Sequence, residues 1–296
     1  MDWRVSTANR CLTRWLSAAA ITLATTASLS CVPSAGAVVT VGQLAPSSPT
    51  PQCSGTADYL QPSVTGGNLY IARQAGTITS WSTRSSGAGA TYVFKVFRRT
   101  SDPDIFQVIA HAPAHELTAG VNTVPVHIAV RSGDMIGLNE SGSLNSCTFS
   151  QLGDGLLTRP GGLADGSSGQ FGPRNDVRLN LSAVLAPSND FSIDSVSRDR
   201  KHGTATVMMS VPNPGMLTIS GKGLKKRPAK NIAVAGMAQF NVAAVGKRKQ
   251  KLERRGKVAM SPNLTFSPAG GDSATQTFTV KLLQRRRPPA PSVQFP

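Results

Sequence analysis

Apolar residues in this chain recur at every second position, in short runs separated by turn residues. Tyr92, Phe94 and Val96 share one face with Lys95 opposite, and Val124, Val126, Ile128 and Val130 share another with His127 pointing away. Val207, Met209 and Val211 alternate with Met208 and Ser210, and Phe278, Val280 and Leu282 with Thr279 and Lys281. A period of two is that of an extended strand, whose successive side chains point to opposite faces. With 28 glycines and 20 prolines to punctuate these runs, the chain is expected to be all-β, many short strands joined by turns.

The runs fall into two groups. The first occupies residues 53–186, with strands expected over 69–72, 77–82, 91–98, 106–110, 123–130, 135–139, 148–151 and 177–185. That many short strands implies a β-sandwich, with a jelly-roll-like arrangement. Its most suggestive passage, residues 119–138, reads as strand, Ser-Gly-Asp turn and strand, and resembles the jelly-roll domains of exported bacterial proteins. Residues 153–176 carry seven glycines and no periodicity, so they read as a long loop. In this straight-strand reading Trp81 lies with Thr77 and Thr79, opposite Ile78, which makes it a candidate exposed platform for carbohydrate.

The second group spans residues 190–284, beginning after a Pro187-Ser188-Asn189-Asp190 boundary. Seven strands are expected, over 191–196, 204–211, 216–220, 232–235, 238–245, 257–266 and 275–283. Three features stand out: Pro212-Asn213-Pro214-Gly215, Ser220-Gly221-Lys222-Gly223, and a Lys-rich loop ending in Gly256-Lys257. On these the segment resembles the immunoglobulin-like β-sandwich modules found at the C-termini of exported and surface bacterial proteins. The resemblance implies an accessory, surface-exposed module and carries over no catalytic residues. Residues 38–52 are expected to form a Pro/Ser-rich spacer, and 285–296 an Arg/Pro-rich tail.

The start of the chain carries export features. Arg4, Arg10 and Arg14 precede an apolar stretch over residues 16–29, and Ala35-Gly36-Ala37 supplies a small-x-small cleavage pattern. The apolar stretch is shorter than the ~20 residues a membrane span needs. Residues 1–37 are therefore expected to be a signal peptide, and the mature protein to be secreted or surface-associated, without a transmembrane segment. Lipidation at Cys31, within a loosely lipobox-like Ser28-Leu29-Ser30-Cys31, is the alternative. Beyond this segment only Cys53 and Cys147 remain, and in an oxidising compartment two thiols are expected to form a disulfide.

Charge separates the two groups sharply. Residues 38–189 contain nine Lys and Arg against nine Asp and Glu, whereas residues 190–296 contain nineteen against five. If consecutive strands alternate in direction, the odd-numbered connections of the second sandwich lie at one end. Those connections hold the candidate polyanion-binding residues: Arg198, Arg200, Lys201, Lys225, Lys226, Arg227, Lys247, Arg248, Lys249, Lys251, Arg254 and Arg255. Such a cationic pole attracts polyanions at a range that salt shortens. The same residues, simply solvated, also keep a protein soluble.

Catalytic signatures are missing from the sequence. No Gly-x-Ser-x-Gly elbow occurs, and Pro113 between His111 and His115 rules out the helix of a zincin. No cofactor and no metal are expected. The expected function is non-catalytic adhesion to anionic cell-wall or extracellular polysaccharide; base stacking is not expected, because the basic loops hold no aromatics. The alternatives are a secreted carbohydrate-binding or carbohydrate-active protein acting through the first sandwich, and a structural spacer.

Overall fold

The structure, a computed structural model, describes residues 38–47, 53, 55–141 and 146–285. Residues 1–37, where a signal peptide is expected, with Cys31, and most of the Arg/Pro-rich tail lie outside these residues. The first half contains β1 (Val39–Gln43), β2 (Ala57–Ser63), β3 (Gly76–Ser85), β4 (Thr91–Arg99), β5 (Ile105–His111) and β6 (His115–Glu116). It continues with β7 (Gly120–Val130), β8 (Met135–Ser141), β9 (Thr148–Pro160), β10 (Ser168–Gln170), β11 (Gly172–Leu179) and β12 (Leu181–Pro187). One sheet has the order β1-β12-β3-β7, the other β10-β5-β4-β8-β2-β9-β11, with β6 on β4. Leaving out β6 and β9 to β11, the remaining eight strands are ordered 1-8-3-6 and 5-4-7-2, the jelly-roll arrangement.

Between the sheets, Ile78, Trp81, Tyr92, Phe94, Ile136, Leu138 and Leu185 form the main core. Trp81 and Phe94 stack with ring centroids 6.0 Å apart. Burying each such side chain contributes about 1.5–3 kcal/mol. At the edge of this core Cys53 and Cys147 form the expected disulfide, with Cα atoms 5.9 Å apart and a sequence separation of 94.

Several expectations need correction. Val39–Gln43 is not spacer: it pairs antiparallel with β12, and Val41 is buried, because the alternating Val39 and Val41 outweigh the Pro/Ser-rich stretch that follows. Strand β2 was not anticipated, since Pro62 near its end masked Tyr59 and Leu60. Residues 69–72 form no strand, only an isolated bridge from Ile71 to Met135.

The Gly-rich segment is likewise no loop, because β9 and β11 pair as a long hairpin within it. Leu157, Leu163 and Phe171 from this segment pack on Leu60, Phe97, Phe106, Val108 and Met135, a second small core beside the larger sheet. The glycines concealed those apolar residues. The hairpin accommodates its irregularity at a bulge, where Asp176 has a φ of 61° and accepts a hydrogen bond from Gly153 N at 2.8 Å.

The second half contains β13 (Ser192–Asp199), β14 (Thr204–Val211), β15 (Gly215–Ser220), β16 (Lys230–Ile232), β17 (Gly236–Ala243), α1 (Gly246–Arg255), β18 (Lys257–Met260), β19 (Asn263–Pro268), β20 (Ala274–Thr277) and β21 (Val280–Leu283). Sheets run β13-β14-β17, β16-β15-β19-β20 and β18-β21, antiparallel throughout. Ser261-Pro262 separates β18 from β19, and Phe278-Thr279 separates β20 from β21. Counting each pair as one interrupted strand leaves seven, ordered 1-2-5 and 4-3-6-7. Val207, Met209 and Phe240 of the first sheet share a separate core with Leu217, Leu264 and Phe266 of the second.

Asn213 holds the two sandwiches together. It lies in the β14–β15 connection, fully buried, and its side chain accepts from Ala75 N (2.8 Å) and donates to Ala75 O (2.9 Å) and Ser188 O (2.7 Å). Gln74 Nε2 adds a bond to Ala269 O, and Asn189 Nδ2 one to Asp272 O. The end of the second sandwich formed by residues 212–214 and 269–273 therefore faces the first, and its other end is distal.

Candidate functional site

The distal end is where the basic segments meet. Strand β13 runs toward it and β14 away, which puts Arg200 and Lys201 in the turn there; β15 and β17 also end there, and β18 begins there. Backbone hydrogen bonds stitch the connections together: Lys225 N to Ala243 O and Val245 N to Gly223 O, both 2.8 Å, then Gln284 N to Gly256 O and Arg285 N to Arg200 O, both 2.9 Å. The opposite connections, residues 212–214, 233–235 and 269–273, contain no Lys or Arg.

The longest basic segment is a helix rather than the expected loop. Lys, Arg, Gln, Leu and Glu all lose little rotamer freedom in a helix, and residues 247–255 contain nothing else. Leu252 is the one side chain of α1 buried against the core, and Gly256 ends the helix with a left-handed φ of 66° and an N–H to Leu252 O bond. The readable signals were the unbroken helix formers and that terminal glycine. Arg254 and Arg255 in the last turn suit the helix dipole, but the first turn has no acidic residue. Lys247 and Arg248 there add to the positive potential of the helix N-terminus.

All twelve candidate cations lie at or beside this end, exposed except for half-buried Arg227 and Arg248. Three guanidinium groups are fastened to backbone carbonyls: Arg198 to Lys281 O (3.0 Å), Arg227 to Asn241 O (3.3 Å) and Arg248 to Ala259 O (2.7 Å). Lys230, a few residues after Arg227, lies elsewhere: it opens β16 opposite Leu217, partway along the sandwich. Among the described residues of this half, the one Lys or Arg ion pair is Lys249 with Glu253, at 3.9 Å and exposed on both sides. A pair like that contributes about 0.3–0.5 kcal/mol, so the potential is left nearly undiminished.

Two residues here escaped the sequence reading. The Asp199 carboxylate accepts from Lys201 N (2.9 Å) and His202 N (3.1 Å), and pairs with His202 Nδ1 at 2.5 Å. Its pKa is held below the usual carboxylate value, chiefly by the side-chain hydrogen bond with His202. Asp199 thus fixes the turn and orients an imidazole among the lysines.

The first sandwich treats its polar groups differently. Trp81 is 0% exposed, so it cannot serve as a carbohydrate platform. The straight-strand assumption fails at Thr79, an extra residue of β3 opposite the Val184–Leu185 step of β12, which reverses the phase so that Ile78 and Trp81 both point inward. His111 pairs with Asp165 at 2.7 Å, His115 packs edge-on against Trp81, and His127 is exposed on β7. The one grouping of metal-type ligands among the described residues is Cys53, Glu140 and Cys147, and both thiols are in the disulfide.

Comparison with known proteins adds little. No family model matches the chain, and no curated protein does. Among solved structures, a β-1,2-glucanase from Parabacteroides distasonis aligns over 85% of this chain and 35% of its own, at 13% identity and a TM-score of 0.18. A β-D-glucuronidase from Dictyoglomus thermophilum aligns over 82% and 46%, at 12% identity and a TM-score of 0.20. The chain thus spans less than half the length of either. Similarity at this level carries no argument about fold or activity.

Proposed function

We propose that this is an exported binding protein rather than an enzyme, and that the distal end of its second sandwich holds anionic cell-wall or extracellular polysaccharide. The observation that carries this reading is the convergence of three basic connections on one end, with almost no carboxylate to neutralise them. Fixed cations in that arrangement raise the local concentration of a polyanion, and each contact releases a counterion. The junction at Asn213 supports it too, because it turns the basic end away from the first sandwich. Among the described residues no helix is long and apolar enough to cross a membrane.

The test is retention on immobilised dextran sulfate. The protein is expected to bind at low salt and elute with moderate salt. Replacing Lys247, Lys249, Lys251, Arg254 and Arg255 by Gln should abolish retention, whereas Arg73→Gln with Arg131→Gln, on the first sandwich, should leave it unchanged. Equal loss in both variants would mean that net charge alone is responsible, and the reading would fall. N-terminal sequencing of protein from the culture medium tests export, with Val38 the expected first residue.

A further inference from the structure

Beside α1 the basic end is not simply a convex surface. A cleft of about 270 Å³ lies between the helix and the β13–β14 turn. His202, Lys225, Lys249, Glu253, Thr204 and Gln284 supply its polar lining, and Val245 and Leu252 part of its apolar wall. Gly203 lets the walls come this close: with φ of +67°, an added Cβ there would lie 2.9 Å from Leu252 Cδ2.

We propose that this cleft seats one phosphate ester of a polyol or sugar. The proposal rests on the polyanion reading above and narrows it to a ligand class. Three observations lead there. First, the cleft is about 270 Å³ and open on one side, so one phosphate with its attached polyol unit can enter while the rest of a polymer stays outside.

Second, Lys225 and Lys249 line the cleft from two separate segments, with the His202 imidazole beside them. Ammonium groups are point charges that can meet a tetrahedral oxyanion from different directions. Third, the lining also holds Thr204, Gln284 and Glu253, the exposed i,i+4 partner of Lys249. Next to a phosphate, a carboxylate, a hydroxyl and an amide are what the hydroxyl groups of a polyol require.

The experiment is calorimetric titration of the full chain with glycerol 2-phosphate, inorganic phosphate and glycerol, alongside retention on dextran sulfate. Glycerol 2-phosphate should bind saturably and about tenfold tighter than phosphate, and glycerol alone should not bind. Lys225→Gln and Lys249→Gln should each weaken glycerol 2-phosphate about tenfold. Glu253→Gln should tighten both inorganic phosphate and glycerol 2-phosphate, because it removes a repelling charge while the amide oxygen still accepts from a hydroxyl. Equal affinity for glycerol 2-phosphate and phosphate, or binding indifferent to Lys225 and Lys249, overturns the seat. If dextran sulfate is still retained in that case, the polyanion reading survives; if dextran sulfate is not retained either, both fail.

Discussion

In the first sandwich Asp58, Asp134 and Asp154 each lie buried against a cation, whereas in the second nearly every cation faces solvent at one end. Asp58 accepts from Lys95 Nζ (2.7 Å), Asn139 Nδ2 (2.9 Å) and Leu163 N (2.8 Å), which ties β2, β4 and β8 to the segment after β9. Asp134 takes two bonds from Arg98, at 2.7 and 2.8 Å. Asp154 is held by Arg178 and by both donors of Thr65. The second core contains no buried ion pair among its described residues and no disulfide. Charge in the first half is therefore part of how the fold closes. In the second half the fold closes without it, and that leaves the cations available to a partner.

The contrast can be broken in several ways, from the largest effect down. Replacing Cys53 and Cys147 by Ala removes a cross-link with a sequence separation of 94, which chain entropy values at about 4–5 kcal/mol. In urea unfolding the first sandwich should lose that much and the second should not move. Lys95→Met leaves Asp58 buried without its cation and should cost about 3–5 kcal/mol. Equal destabilisation of the second sandwich by either change would show that the cores are not independent.

Alkaline titration separates the halves without mutation. Burial raises the pKa of Tyr59, Tyr70 and Tyr92, helped at Tyr59 and Tyr92 by the Glu140 charge. All three are in the first sandwich. The folded state keeps their protons after the unfolded chain has lost them, so stability is full below about pH 10 and falls as pH rises beyond it. The second sandwich has no tyrosine, and losing lysine charge there relieves repulsion. In protein beginning at Val38, Trp81 is the sole tryptophan. Its emission should report unfolding before the β-sheet circular dichroism is fully lost.

At the small end are changes in the basic end itself. Gly256→Ala forces a Cβ into the left-handed conformation and should cost about 1–2 kcal/mol, fraying α1. Lys249→Ala should alter stability by less than about 0.5 kcal/mol, while measurably weakening retention on dextran sulfate.

How much could be read from sequence follows the same division. Clean alternation, as at Val207, Met209 and Val211, identified strands because nothing interrupts the pleat there. The Cys53–Cys147 pairing followed from there being only two candidates. Where a single extra residue shifts the phase, as beside Thr79, alternation misleads, and Trp81 was assigned to the wrong face. Lys95 escaped for a related reason: the sheet that carries it is covered on both sides, by the main core and by residues 161–171 between β9 and β11, so a charged side chain on its outer face is buried all the same. The end at which the cations gather was legible from strand parity alone. The helix among them and the cleft beside it were not, because a reading confined to strands and turns had no place for α1.

The most direct test of the account is how the affinity for dextran sulfate depends on salt. The logarithm of the binding constant should fall steeply with the logarithm of salt concentration, and the slope should flatten as Lys247, Lys249, Lys251, Arg254 and Arg255 are neutralised in turn. Neutralising Arg73 and Arg131 should leave the slope unchanged. A slope insensitive to the distal cations, or one flattened equally by removing those on the first sandwich, would contradict the claim that one end of this molecule is built to hold a polyanion.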